Sequence, residues 1–340
     1  MKIHRGGRTM QYREIGKSGI CGSAIALGTW AIGGGGFWDG VDDDTKAIDT
    51  IRAAIENGIT LIDTAPAYGE GKSERLIGQA IHDLPREKLV LSTKCGLIWW
   101  GDEGGYMHTL DGKKYFRNLE PYSIRQEVEM SLERLGTDHI DVYFTHWPSL
   151  PSYPTPIERT MQGLSDLKHE GLIRAIGASN VDLPQIKQYV AAGDLDAIQP
   201  SYSMLNRVIE GELLDYCIAH NISVFAYSPL EQGLLTGKIT MDYPLKDGTY
   251  RKDYLACYQP ENRRRVLAML DSWKDLQEKY DCTLSQLVIA WTISQPGITV
   301  ALCGARKPHH LMENVKAGSL VLEPDDLKRM RADAEALGTF

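Results

Sequence analysis

Residues 60–94 read TLIDTAPAYGEGKSERLIGQAIHDLPREKLVLSTK, and their pattern decides the fold. A short apolar run, Thr60-Leu61-Ile62, passes straight into Asp63. Helical spacing follows over 73–81, and a second apolar run, Leu89-Val90-Leu91, passes into Ser92-Thr93-Lys94. Two short buried strands with a helix between them pair in parallel, because the helix is the crossover that returns the chain to the same end.

The unit recurs on both sides of this stretch. Further apolar runs lie at 25–28, 140–144, 173–176, 197–199, 223–226 and 298–302. Helical spacing occupies 45–57, where Ile48, Ile51 and Ile55 share a face and Gly58 stops the helix, and then 123–135, 156–170, 183–190, 212–220 and 309–315. Two more helices are expected at 266–280 and 284–294. Eight strands alternating with helices favour a closed (β/α)8 TIM barrel over an open doubly wound sheet. Ahead of the first run, 11–15 and 19–22 flank Lys17-Ser18 as an N-terminal β-hairpin, expected at the barrel bottom.

The chain has 340 residues, and α/β barrels often exceed ~250 residues as one unit, so a single domain over 1–340 is expected, with 1–10 a flexible basic arm. Hydrophobic residues make up 43% and charged residues 24%, a soluble globular profile. No apolar run approaches the ~18 residues of a membrane span. The net charge of −8 argues against nucleic acid or an acidic membrane as partner. A cytoplasmic location is expected. The six cysteines are scattered without metal-ligand spacing, so no metal site is expected and the thiols read as free. Cys95 stands apart, because a thiol beside the Lys94 ammonium is expected to be acidic.

Nearly every apolar run ends in polar or reactive residues: Gly28-Thr29-Trp30, Asp63-Thr64, Ser92-Thr93-Lys94, Thr145-His146-Trp147, Ser179-Asn180, Gln199, Tyr227-Ser228 and Gly304-Ala305-Arg306. In a parallel barrel these ends converge on one rim, where barrel enzymes place their chemistry. Asp63, Lys94, His146 and nearby Tyr68 offer a carboxylate, an ammonium, an imidazole and a phenol. Each alone has a structural explanation. Together they suit carbonyl reduction, which needs a proton donor at the developing alkoxide beside a hydride donor. Tyr68 donates, Lys94 favours the phenolate, Asp63 partners the lysine, and His146 orients the carbonyl oxygen.

Asp63-Thr64-Ala65-Pro66-Ala67-Tyr68-Gly69, with Lys94 closing the third strand and His146 the fourth, resembles the aldo-keto reductase superfamily. The resemblance continues in order through Gly177-Ala178-Ser179-Asn180, Gln199, Tyr227-Ser228-Pro229-Leu230, Gly233-Leu234-Leu235-Thr236-Gly237-Lys238 and Glu313-Asn314. It covers essentially the whole chain. The chain looks like the bacterial branches of general-stress and sugar-related reductases, which also resemble potassium-channel β subunits.

The resemblance implies that Tyr68 is the general acid, with Lys94 and Asp63 tuning it and His146 orienting the carbonyl. It implies that Ser179, Asn180 and Gln199 hold the nicotinamide amide, that Tyr227 stacks on its ring, and that Gly28, Thr29 and Trp30 line that end. Asp63 borders the same site. Ser228 to Lys238, with Pro229, Leu230, Gly233 and Leu234 among them, matches the segment over the pyrophosphate. Gly304 to Asn314 matches the adenosine segment, with Glu313 and Asn314 at the adenine. Arg306 suits a 2′-phosphate, which implies NADPH over NADH. His310 stands where many relatives carry Gln or Arg.

The substrate implied is a small-molecule carbonyl compound, drawn from sugars or sugar-derived carbonyls, with Trp30, Tyr68, His146 and Trp147 lining the site. Trp38, Trp99, Trp100, Tyr106 and Phe116 also fall in rim loops, and 95–118 reads as an insertion over the mouth. Gly33 to Gly36 reads as a flexible loop, and Arg251, Lys252 and Arg263 to Arg265 as solvated helix starts. Two further function classes share these residues: a cofactor-binding regulatory subunit with little turnover, and a lyase using Lys94 as a Schiff base. An NAD(P)-dependent sugar dehydrogenase is the same chemistry reversed. The sequence leaves a homo-oligomer open.

Overall fold

Each of the eight apolar runs supplies one strand of a closed parallel barrel. The computed structural model describes residues 10–34, 43–247, 249–338 and 340. Residues 1–9 of the expected arm, Gly35 and Gly36 of the glycine run, and Trp38 lie outside the described residues.

The strands, in chain order, are β1 (Tyr12–Ile15), β2 (Ile20–Ser23), β3 (Ile25–Gly28), β4 (Leu61–Asp63), β5 (Val90–Cys95) and β6 (Gly105–Leu110). Then come β7 (Lys113–Arg117), β8 (Ile140–Thr145), β9 (Ile173–Ser179), β10 (Ala197–Gln199), β11 (Ser223–Tyr227) and β12 (Ile298–Gly304). The barrel closes in the order β3-β4-β5-β8-β9-β10-β11-β12, with β12 returning to β3.

Two apolar cores form, one on each side of the barrel wall. Inside it, Ala26, Leu61, Val90, Val142, Phe144, Ala175, Ala197, Phe225, Val300 and Leu302 pack with Ile15 and Ile20 of the β1–β2 hairpin. That hairpin plugs the bottom, where Gly16 N–H donates to Ser223 Oγ (2.8 Å) at the start of β11. Outside the wall, helices lay their apolar faces on the strands. The helix Lys72–Ile81, for example, buries Leu76, Ile77, Ala80 and Ile81. Capping boxes at Asp182/Gln185 and Thr283/Gln286 fix the starts of Leu183–Ala192 and Leu284–Ile293.

Away from the active site, the structure departs from the sequence reading as follows. The helix expected at 266–280 is two, Pro260–Asp271 and Lys274–Tyr280. The break sinks Trp273 into the core, where its indole N–H donates to Asp333 Oδ2 (2.8 Å). A further helix, Pro324–Glu335, follows the barrel. The insertion after β5 is an antiparallel hairpin, β6–β7, turning at Asp111-Gly112. Arg263 is buried rather than solvated, and its guanidinium donates to the Met241 carbonyl (2.9 Å).

Candidate active site

Alternation along each strand places the site. Side chains two residues apart share a face, so the inward positions above the inner core continue to Gly28, Asp63, Lys94, His146, Ser179, Gln199, Tyr227 and Gly304. Every barrel strand thus contributes one member of the upper layer. Phe144 and Phe225, ring centroids 5.4 Å apart, close the layer beneath it. Gly177 makes room for the Phe144 ring, since a Cβ there would stand 2.3 Å from Phe144 Cδ1.

Lys94 is 1% exposed, and all three of its N–H donors are used. They reach Asp63 Oδ1 (2.8 Å), the Thr64 carbonyl (2.7 Å) and Tyr68 Oη (3.1 Å). Asp63 Oδ2 accepts from Ser92 Oγ (2.7 Å) and Gln199 Nε2 (2.9 Å). Burial works against the Lys94 charge, but Asp63 and Tyr68 outweigh it and hold the lysine above its ordinary pKa. Lys94 is therefore an ammonium at neutral pH, which disfavours the Schiff-base reading. Burial also raises the Tyr68 phenol, and the nearby ammonium only partly offsets this. Because Lys94 donates to Tyr68 Oη, the phenolic hydrogen is left to donate elsewhere.

His146 meets Tyr68 edge-on, ring centroids 5.9 Å apart. Its backbone N–H donates to the Cys95 carbonyl (2.8 Å), tying the exits of β5 and β8 together. Burial, then Lys94 and Arg117, hold its imidazole well below the ordinary histidine range, so it is neutral at pH 7. The expectation of an acidic Cys95 fails. The thiol points away from Lys94 into the outer core, where burial and Glu127 push it well above its ordinary value. Glu127 itself is buried and accepts from Gly96 N–H (2.8 and 3.0 Å) directly after Cys95.

Gly33 is not in a flexible loop. It ends the short helix Trp30–Gly33, and a Cβ there would meet the Tyr68 backbone at 2.5 Å. Thr29 is fully buried beneath the same contact, its hydroxyl donating to the Asp63 carbonyl (2.9 Å).

On the far side of the mouth, Ser179 Oγ donates to the Gln199 carbonyl (2.7 Å), and Asn180 Nδ2 to the His146 carbonyl (2.9 Å). Tyr227 Oη donates to Asn180 Oδ1 (2.8 Å), which fixes the ring over the barrel. Gly28 and Gly304 pair in register where β3 meets β12, and a Cβ on either would meet nothing nearer than 3.8 Å. That open floor, flanked by amides and a tyrosine face, fits a flat nicotinamide ring.

After β11, Ser228, Glu231, Gln232 and Gly233 all take positive φ, and the chain curls into the compact turn Glu231–Thr236. Leu234 is buried within it, and of the two residues before it Pro229 is buried and Leu230 half-buried. Lys238, beyond the turn, pairs with Glu313 (2.5 Å), joining this segment to the helix Pro308–Ala317. Arg306 and His310 are exposed on the same side, while Asn314 is buried and donates to the Gly304 carbonyl (3.4 Å). Burial and His309 hold His310 below the ordinary histidine range. Among the described residues no His, Cys, Asp and Glu side chains cluster to hold a metal ion.

Of the rim aromatics, Trp147 lies under the Arg117 guanidinium (4.9 Å). Trp99, Trp100, Tyr106 and Phe116 pack around the β6–β7 hairpin. The hairpin reaches the Tyr68 loop, where Lys113 and Tyr115 both bind the Glu70 carboxylate. Sequence reasoning missed three contributors: Glu70, Glu127 and Tyr250, whose ring stands edge-on to Trp30 at 5.8 Å. No spacing signal marks them, because each acts across elements distant in sequence.

The aldo/keto reductase family profile matches residues 24–335. The NADH-specific methylglyoxal reductase of Escherichia coli K12 is 47% identical over 96% of this chain and 99% of its own. A probable voltage-gated potassium channel subunit beta of Arabidopsis thaliana is 30% identical over 92% of each chain. Among solved structures, the glycerol dehydrogenase of Gluconobacter oxydans superposes with a TM-score of 0.84 at 37% identity, covering 96% of this chain and 95% of its own. The eight-strand barrel, its plug and the tetrad on its rim therefore have one source: the chain belongs to the aldo/keto reductase family and is an NAD(P)H-dependent oxidoreductase that reduces carbonyl compounds.

Proposed function

We propose that the chain reduces a short aldehyde or ketone to the alcohol, with Tyr68 as general acid. The observation that carries the reading is the 3.1 Å contact from the Lys94 ammonium to Tyr68 Oη, with Asp63 holding the lysine charged. The reduced nicotinamide, when bound, supplies the hydride. Tyr68 Oη gives its proton to the carbonyl oxygen as negative charge develops there. Lys94 stabilises the phenolate left behind, and the neutral His146 imidazole donates to the same oxygen and fixes its direction. The floor at Gly28 and Gly304, with Ser179, Asn180, Gln199 and Tyr227 around it, would hold the nicotinamide.

The cofactor has two readings. Arg306 supports NADPH, since its fork suits a 2′-phosphate. NADH is supported by the name of the Escherichia coli relative. Two local features agree with it: Lys238 is already engaged by Glu313, and His310 is biased toward neutrality. The NADH reading carries the greater weight. The same relative supports a three-carbon ketoaldehyde as substrate over a sugar carbonyl. The Gluconobacter relative, named a glycerol dehydrogenase, supports the oxidative direction, and the Arabidopsis relative, named a probable channel subunit beta, supports the regulatory-subunit reading. We read the chain as one cytoplasmic domain; among the described residues no helix is long and apolar enough to cross a membrane.

The test is consumption of NADH and of NADPH against methylglyoxal, sugar aldehydes and aromatic aldehydes, with Tyr68→Phe as control. Turnover abolished in the variant supports the reductase. Tight cofactor binding without turnover of any substrate overturns it in favour of the regulatory subunit.

A further inference from the structure

One peptide unit joins a carboxyl outside the barrel wall to the imidazole at its rim. The Cys95 carbonyl accepts the His146 N–H (2.8 Å). The N–H at the other end of the same peptide, that of Gly96, donates to both oxygens of Glu127 (2.8 and 3.0 Å). The Leu97 N–H faces the same carboxyl, and Ser123 Oγ donates to it (3.4 Å). Glu127 is fully buried on the helix Pro121–Leu135, and among the described residues no cation pairs with it. Gly96 takes a φ of +86°, and a Cβ there would strike Leu119 Cδ2, so the turn after β5 is confined on that side.

A buried carboxyl without a cation is costly, and packing alone would favour an apolar side chain. The backbone donors beneath it need an acceptor, which is a structural task. The chemical consequence lies at the far end of the peptide. A peptide unit is planar and turns as one body, so fixing its N–H fixes where its carbonyl points. The His146 backbone follows that carbonyl, and the imidazole follows the backbone, its centroid 5.9 Å from that of Tyr68. We propose that Glu127 is a positioning residue for carbonyl reduction, acting through the peptide between Cys95 and Gly96 to hold His146 in register with Tyr68. The inference rests on the reading of His146 as the group that directs the carbonyl oxygen. Both the acid and the carboxylate form of Glu127 accept an N–H, so the role does not depend on its ionisation.

The experiment compares Glu127→Leu, which removes the acceptor, with Glu127→Gln, which keeps a carbonyl oxygen in its place. A reacting group displaced by about 1 Å costs on the order of 10² in rate. A fraction of that displacement predicts a fall of about tenfold in kcat for methylglyoxal in Glu127→Leu. Glu127→Gln restores kcat to within about twofold of the wild type, and the stoichiometry and Kd of NADH binding stay unchanged in both. A Glu127→Leu kcat within about twofold of the wild type overturns the proposal, as does an equal loss in Glu127→Gln. Loss of NADH binding in step with kcat also overturns it, in favour of a purely structural role. Amide hydrogen exchange needs no turnover and so separates this inference from the reading beneath it. In Glu127→Leu the Gly96 N–H loses its acceptor and exchanges faster, and the His146 N–H is expected to follow by about tenfold. His146 protection unchanged while that of Gly96 is lost overturns the coupling. If the wild type reduces no carbonyl compound, the reductase reading fails, and the exchange result still decides whether Glu127 holds His146. Should Glu127→Leu not fold, Glu127→Asp, whose shorter arm withdraws the oxygens by one methylene, is read in the same assays against the same outcomes.

Discussion

The Lys94 ammonium donates to the Tyr68 hydroxyl across 3.1 Å, and Asp63 stands 2.8 Å behind it. A phenol with an ordinary pKa near ~10 is a weak acid at pH 7, and burial makes this one weaker. In the proposed mechanism the ammonium compensates at the moment of proton transfer, when the phenolate forms beside a charge already in place.

Tyr68→Phe removes only the hydroxyl. Turnover is expected to fall by about 10² to 10⁴, while cofactor affinity, measured by fluorescence titration, stays within about twofold. Turnover near the wild-type value would remove Tyr68 from the role of general acid.

Arg306→Ala is expected to weaken NADPH binding about tenfold or more, the scale of one charge-assisted hydrogen bond, with a much smaller effect on NADH. Isothermal titration with each nucleotide checks this. Equal weakening of both would place Arg306 away from the 2′-phosphate.

The pH profile follows from two shifts. The proposed mechanism needs Tyr68 protonated and His146 neutral. Tyr68 lies above its ordinary value and His146 well below its own. The kcat/KM for reduction, which reports the free enzyme, is therefore expected to be flat between about pH 6.5 and about pH 10. An acid limb centred near the ordinary histidine value would show that His146 titrates as if solvated.

Glu127 is expected to leave a mark on stability. Burial raises its carboxyl to about 8, above the value it has in the unfolded chain. The folded state then holds the proton more tightly than the unfolded one, so stability falls as pH rises from the ordinary carboxyl range to about 8. The slope is at most about 1.4 kcal/mol per pH unit. Urea denaturation of Glu127→Gln at several pH values is expected to show that slope reduced; an unaltered slope would assign it to other groups.

The barrel was legible because its strands are short apolar runs that end abruptly in polar residues, as Leu91 gives way to Ser92 and Lys94. Asp63, Lys94 and His146 were legible for the same reason, since strand ends in a parallel barrel share a rim; Tyr68 lies in the loop after β4 and joins them through its 3.1 Å contact with Lys94. The β6–β7 hairpin is harder to see: Asp111-Gly112 between alternating residues is a turn signal, but the segment that holds it reads as one insertion between a strand and a helix. The helix Pro324–Glu335 escaped despite Pro324, Asp325 and Asp326 at its start. Adjacency in sequence misleads at Cys95. Successive residues on a strand face opposite ways, so the neighbour of Lys94 in sequence sits across the barrel wall from it.

The seam between β3 and β12 separates what the fold requires from what the site requires. Neither Gly28 nor Gly304 has a positive φ, and an added methyl would strike nothing in the protein. An alanine at either position satisfies the backbone and even trims the freedom of the unfolded chain. Natural selection acting on folding alone would be indifferent there. The pair of glycines thus keeps a bare patch of main chain facing the mouth, and on the proposed reading it is the guest, not the backbone, that asks for glycine at both positions.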